Sequence, residues 1–145
     1  MRPEQFRAVE QTKKYFDQAL KEEPGRTPKF LWNAKMRFGK TFASYQLAKK
    51  MGLSRILILT FKPAVESAWR EDLISHIDFE GWQYISNKDA RNNKLNIDQE
   101  FNRADKSRPI VVFGSFQDLL GTNESGGIKT KNEFIHSTNW DLVIF

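Results

Sequence analysis

The 145-residue sequence contains no cysteine and only two histidines, His76 and His136. Disulfide bonds and thiolate metal sites are therefore excluded, and two histidines so far apart do not indicate a zinc cluster. The absence of cysteine is compatible with a reducing cytoplasm, where we expect the protein to be located. No run of about 18 apolar residues is present, and the first residues lack a signal-peptide pattern, so we expect a soluble protein with no membrane partner.

Acidic residues are missing from one long stretch of the chain. None lies between Glu23 and Glu66, whereas the same stretch contains nine lysines and arginines. Residues 1–75 carry 15 basic and 8 acidic side chains, a net charge of +7, and residues 76–145 carry 8 and 10, a net charge of −2. A local positive field favours a polyanionic partner, a nucleotide or a nucleic acid, although a solvated basic face without a partner is the alternative.

The composition is that of a globular protein, with 39% hydrophobic and 13% aromatic residues. A chain of this length is sufficient for one domain with a substantial core. The pattern of apolar residues alternates between helices and strands. A helix is predicted from Pro3 to near Pro24, a short strand at residues 29–32, and a helix from Phe42 that stops at Gly52.

The second half of the chain continues this alternation. Buried strands are predicted at residues 55–60 (RILILT), 109–114 (PIVVFG) and 140–145 (WDLVIF), with a shorter one at 82–86. Helices are predicted after Pro63, with Trp69 in the core, and at residues 129–137, and a helical turn at 115–120. Residues 87–108 are polar and read as a surface excursion with at most one helix. The predicted fold class is therefore α/β, with a parallel sheet and helices on both faces.

The motif AKMRFGKT occupies residues 34–41, in the predicted loop between a strand and a helix. A phosphate site of this kind uses backbone N–H groups at a helix start, a glycine that lets the chain close around the anion, a lysine for the outer phosphates and a hydroxyl for magnesium. Gly39, Lys40 and Thr41 match these requirements. The strict pattern has glycine where Ala34 stands, and the alternative is that GKT is a chance triplet at an ordinary helix start.

The order of these segments resembles the first RecA-like, DEAD/DEAH-like domain of superfamily 2 helicases and translocases, in the branch of the motor subunits of type I and type III restriction enzymes. RPEQ at residues 2–5 is similar to the adenine-reading motif of that family, which implies that Gln5 contacts adenine. The motif AKMRFGKT is similar to the family's phosphate loop, where alanine is common at the first position. The resemblance implies ATP and Mg²⁺ as cofactors and the following nucleotide-binding residues: Gln5, Ala34, Arg37, Phe38, Gly39, Lys40 and Thr41. Lys40 is the candidate catalytic residue and Thr41 the magnesium ligand.

Two further segments resemble motifs that contact nucleic acid. Residues 60–63 (TFKP) follow a strand, as the corresponding family motif does, and FGSFQDL at 113–119 is similar to a later strand-end motif. The resemblance implies contact with the sugar-phosphate backbone of a nucleic acid strand by Phe61, Lys62, Ser115 and Gln117. DNA is favoured over RNA as that strand, but the sequence does not decide between them. As alternatives, Gln5 is an ordinary exposed helix residue, Lys62 a solvated turn lysine, and Ser115 a helix cap.

In the family, a strand similar to WDLVIF is followed at once by an acidic pair that holds magnesium. We therefore expect residues 1–145 to be the amino-terminal part of a first helicase ATP-binding domain that ends before this pair, with the second RecA-like domain absent. The expected parent is an ATP-dependent DNA helicase or translocase, such as the motor of a restriction-modification system, and the isolated chain is expected to lack ATP hydrolysis. Two other functions fit less of the sequence. One is a basic nucleic-acid-binding module with a vestigial phosphate loop, and the other is a different phosphate-loop enzyme such as a kinase.

Overall fold

The computed structural model describes residues 1–35, 37–61, 65–116 and 133–145. The chain divides into two compact units, Met1–Gly52 and Leu53–Phe145. Charge differs sharply between them. The first unit carries twelve basic and five acidic side chains, a net charge of +7, and the second carries eleven and thirteen, a net charge of −2.

The first unit contains two helices, α1 (Pro3–Glu22) and α2 (Lys40–Lys50). Helix α1 begins with proline at its first turn, as the sequence predicts, because the missing N–H would be unpaired there in any case. The two helices pack through Val9 and Leu47, and Lys50 forms an ion pair with Glu10. No helix within the described ranges is long and apolar enough to cross a membrane.

The strand predicted at residues 29–32 is wrong: residues 27–35 have no regular secondary structure. Trp32 instead packs against the α1–α2 cluster, and its indole Nε1 donates to the Thr12 hydroxyl at 2.7 Å. The described part of this unit holds no strand with which residues 29–32 could pair. The apolar side chains of this segment therefore pack against α1 instead of forming a strand. The helix predicted from Phe42 is confirmed.

The second unit is an α/β structure built on a four-stranded, all-parallel sheet. Its elements are β1 (Arg55–Thr60), α3 (Glu66–Ile74), β2 (Gln83–Ser86), α4 (Asn87–Asn92), α5 (Ile97–Arg103), β3 (Ile110–Ser115), α6 (Glu133–Ser137) and β4 (Leu142–Ile144). The strand order is β2-β3-β1-β4. The predicted α/β class and parallel sheet are confirmed.

Both faces of β1, one of the two inner strands of the sheet, are buried, as its continuous apolar run predicts. On one face, Leu57 and Leu59 pack with Phe101 of α5 and Phe134 of α6. Ile56 and Ile58, on the other face, are also fully buried. On that face of β2, the Tyr84 hydroxyl donates to Glu66 at the start of α3 at 3.5 Å. Trp69 of α3 is 9% exposed, which confirms its prediction as a core residue.

Residues 87–108 contain two helices, α4 and α5, where the sequence predicted at most one. Helix α4 begins at a cap in which the Ser86 hydroxyl accepts from the Asp89 N–H. Helix α5 places Ile97 and Phe101 in the sheet core. The apolar residues of this stretch are few, but two of them, Ile97 and Phe101, lie four positions apart and form one buried helix face.

Candidate phosphate-binding site

The start of helix α2 has the features expected of an anion site. Gly39 is its N-cap, with φ 80° and ψ 50°, and no side chain caps the helix. The first turn contains no acidic residue, and Lys40, the first helical residue, is exposed. The N-terminus of a helix carries a partial positive charge and directs backbone N–H groups outward. The sequence GKT therefore lies where a phosphate group can be bound.

Gly39 is required here for two separate reasons. Its positive φ lies in the left-handed region, which side chains with a Cβ rarely adopt. A Cβ built on Gly39 would also lie 2.3 Å from the amide Nε2 of Gln5, closer than atoms can approach. The absence of a side chain thus allows α1 to approach the backbone of the loop directly.

Gln5 is 5% exposed, and both ends of its amide group bind within the same unit. Its Oε1 accepts from the backbone N–H of Arg2 at 2.9 Å. Its Nε2 donates to the carbonyls of Phe38 at 2.8 Å and Gly39 at 3.3 Å. The structure therefore brings Gln5 to the candidate phosphate loop and joins it to the loop backbone, a contact that the sequence did not predict.

Arg2 was not predicted as a site residue, although it lies in the same RPEQ motif. Its guanidinium Nη2 donates to the carbonyl of Arg37 at 2.6 Å and to that of Phe38. Arg2 also lies 3.7 Å from the Glu4 carboxylate. The basic first residue of the motif, three positions before Gln5, is the signal that could have identified it.

The other predicted loop residues differ in how they are placed. Arg37 is exposed and has φ 64°. The ring of Phe38 lies 6.2 Å from that of Trp32, centroid to centroid, so the side chain packs in the α1–α2 cluster and the backbone forms the loop. Ala34 is half-buried in the segment that leads to the loop, and Thr41 is the second residue of α2.

A groove of about 610 Å³ lies between α1 and residues 30–35 and 37–38, within the first unit. Its volume is in the range of small-molecule sites. It combines cationic and aromatic side chains, among them Arg2, Lys35, Arg37, Phe30 and Trp32. Within the described ranges, no group of three or more histidine, aspartate or glutamate side chains could hold a metal ion. A magnesium ion at this site would depend on Thr41 and on the oxygens of a bound phosphate.

Two predicted nucleic-acid contacts lie together in the second unit. Thr60 and Ser115 are register partners at the carboxyl ends of β1 and β3. Phe61, which follows β1, is 86% exposed, and its ring centroid lies 4.7 Å from that of Phe116. Lys62 and Gln117, the other two predicted contacts, lie outside the described residues.

Comparison with known proteins gives one similarity over nearly the whole chain. A Mycoplasma pneumoniae protein named "Putative type II restriction enzyme and methyltransferase RM.MpnORF110P C-terminus" is 37% identical over 149 residues. The match includes 99% of this chain but 19% of that protein, so the chain spans about a fifth of the relative's length. No protein-family model matches the sequence, and no solved structure matches it.

Proposed function

We propose that the chain is the nucleotide-binding part of an ATP-dependent DNA helicase or translocase with a RecA-like fold, acting in a restriction-modification system. The observation that carries the proposal is the position of Gly39, Lys40 and Thr41 at the uncapped start of α2, after a loop held by Gln5. The relative is named for a restriction enzyme and methyltransferase, which supports DNA as the nucleic acid and a restriction-modification context in this proposal.

In this proposal the residues of the first unit divide the recognition of ATP. The N–H groups at the start of α2 would bind phosphate oxygens, and the Lys40 ammonium would balance charge on the outer phosphates. The Thr41 hydroxyl would ligate Mg²⁺. Recognition of adenine by Gln5 would require its amide to exchange the hydrogen bonds that it makes to Arg2, Phe38 and Gly39. Arg37, Phe38 and Ala34 would shape the loop around the nucleotide. ATP, when bound, supplies the phosphoryl group whose transfer to water provides the free energy for movement.

The nucleic-acid contacts belong to the second unit in this proposal. Phe61 and Ser115 lie at the carboxyl ends of adjacent parallel strands, and in open parallel sheets ligands commonly bind at that edge. Lys62 and Gln117 are the neighbours in sequence that would complete the contact with the DNA backbone. Assembly with the rest of a motor protein is part of the same proposal.

The replacement Lys40→Ala tests the nucleotide site. We expect it to weaken binding of Mg–ATP by about tenfold or more, because a charge-assisted contact to phosphate is lost. The matched control is Lys49→Ala, since Lys49 lies on the same helix near its other end and has the same charge. Isothermal titration calorimetry of the three proteins gives the comparison. Equal affinities for wild type and Lys40→Ala would refute the phosphate-loop assignment.

A second candidate function follows from the charge of the first unit. With a net charge of +7 in residues 1–52, this unit could bind nucleic acid through its basic surface, with a vestigial phosphate loop. The same titration distinguishes the two candidates. A functional loop binds Mg–ATP, itself a dianion at neutral pH, better than an unrelated dianion such as sulfate. A basic surface binds anions of equal charge with similar affinity.

A further inference from the structure

We propose that Arg2 is a positioning residue that orients the peptide groups of the phosphate loop toward the anion. The inference rests on the proposed nucleotide site and extends it to a residue that does not itself contact the phosphate. Arg2 and the loop belong to the same compact unit, and the contacts between them span 35 and 36 positions of the sequence.

The planarity of the peptide bond links the Arg2 contacts to the loop N–H groups. In a trans peptide the carbonyl of one residue and the N–H of the next point in opposite directions, and the described chain contains no cis peptide. When Arg2 binds the carbonyl of Phe38, the N–H of Gly39 must point away from Arg2. Gln5 acts in the same way on the carbonyl of Gly39, and so turns the N–H of Lys40 away from α1.

The carbonyl of Arg37 gives a second reason for this role. Arg37 has φ 64°, a left-handed conformation that is strained for a residue other than glycine. The hydrogen bond from Arg2 Nη2 at 2.6 Å holds the carbonyl of this strained residue in place. A guanidinium group is suited to the task, because its planar set of donors reaches two neighbouring carbonyls at once.

The position of Arg2 on α1 also explains how its guanidinium group is held in place. Arg2 is the N-cap of the helix, and its backbone N–H donates to the side-chain Oε1 of Gln5, the N3 residue. The Glu4 carboxylate, 3.7 Å from Nη1, restrains the guanidinium from the solvent side. The two loop-binding side chains, Arg2 and Gln5, are thus fixed to each other by the start of one helix.

Inorganic tripolyphosphate with Mg²⁺ is the probe that isolates this role, since it has phosphates but no base. We expect Arg2→Ala to lose roughly tenfold in affinity for tripolyphosphate, and a similar factor for ATP and GTP. Arg2→Lys, which retains the charge and a donor, should recover part of the loss. The control is Arg7→Ala, which removes an equal charge from an exposed position of the same helix.

Amide chemical shifts supply a readout that overall stability does not affect. In ¹H–¹⁵N spectra of the unliganded chain, Arg2→Ala should shift the Gly39 and Lys40 amides, while Arg7→Ala leaves them in place. Unchanged amides, together with tripolyphosphate affinity equal to wild type in Arg2→Ala, would overturn the inference while Lys40→Ala still reports on the nucleotide site. Failure of the wild type to bind either tripolyphosphate or ATP would overturn the proposed function, and this inference with it.

Discussion

At Arg37 the backbone and the side chain have separable roles. The residue has φ 64°, and its side chain is exposed beside the loop. The left-handed conformation is a cost of folding that a glycine would not have. The guanidinium, in contrast, would contribute positive charge near the proposed phosphates. A replacement that relieves the backbone strain therefore differs in effect from one that only removes the charge.

The variants Arg37→Gly and Arg37→Ala separate these roles. Both remove the same charge, so both should lower affinity for Mg–ATP by the same factor. We expect Arg37→Gly to be more stable than Arg37→Ala by about 1 kcal/mol, because alanine retains the strain and glycine does not. Urea denaturation followed by circular dichroism measures the difference. Equal midpoints for the two variants would show that the left-handed conformation stores no strain.

The sequence suggests candidate residues for the loop but not how they are joined. The GKT triplet is recognisable because its residue types match a known chemistry, and Gln5 is recognisable only through the resemblance of RPEQ to a family motif. Arg2 was not recognised, because its partners are backbone carbonyls 35 and 36 positions away, and backbone groups have no sequence signature. Phe38 was predicted as a nucleotide contact from its place in the motif, and the structure places its ring against Trp32.

At the scale of elements, strands with continuous apolar runs were predicted correctly, and a short run next to glycine and proline was not. RILILT forms β1 as predicted because both of its faces are buried. Residues 29–32 have a similar composition, but Leu31 is 87% exposed and Trp32 packs on α1. Three consecutive apolar residues do not determine whether a segment pairs in a sheet or packs on a helix, because the available packing partners decide it.

The polar stretch before β3 is ordered by local hydrogen bonds that composition does not reveal. Asp105 accepts from the Ser107 hydroxyl at 2.6 Å and from the Ser107 N–H at 2.9 Å. These bonds, chiefly that from the Ser107 hydroxyl, hold the pKa of Asp105 below its ordinary value of 3.8. Bonds of this kind fix the turn that leads into β3 without apolar residues.

Asp141 joins the amino ends of β1 and β4. Its Oδ2 accepts from the backbone N–H groups of Ser54 and Arg55, each at 3.0 Å. We expect Asp141→Ala to destabilise the chain by about 1 kcal/mol, since both exposed donors exchange a charged acceptor for water. The control is Glu80→Ala, which removes an equal charge from an exposed position of the same unit. Equal urea midpoints for the two variants would show that this contact has no net effect on stability.

At the scale of the whole molecule, two features suggest two different sites for nucleic acid. The positive charge is concentrated in residues 1–52, at +7, whereas residues 53–145 carry −2. Phe61 and Ser115, the nucleic-acid contacts that the motifs predict, lie in the second unit. Binding of nucleic acid through charged side chains weakens steeply as the salt concentration rises, whereas stacking of an aromatic ring on a base is far less sensitive to salt.

Charge-removing variants in each unit decide between these sites. The triple replacement Lys14→Gln, Lys21→Gln and Lys29→Gln removes three exposed charges from the first unit, and Lys88→Gln, Lys94→Gln and Arg103→Gln removes three from the second. If the charge of the first unit dominates, its triple variant should bind a single-stranded oligonucleotide about tenfold more weakly at low salt, and the other triple variant nearly as wild type. Fluorescence anisotropy across a salt series measures both affinity and slope. If instead Phe61→Ala abolishes binding and neither triple variant changes the salt slope, the contact lies at the sheet edge and the charge of the first unit serves the nucleotide alone.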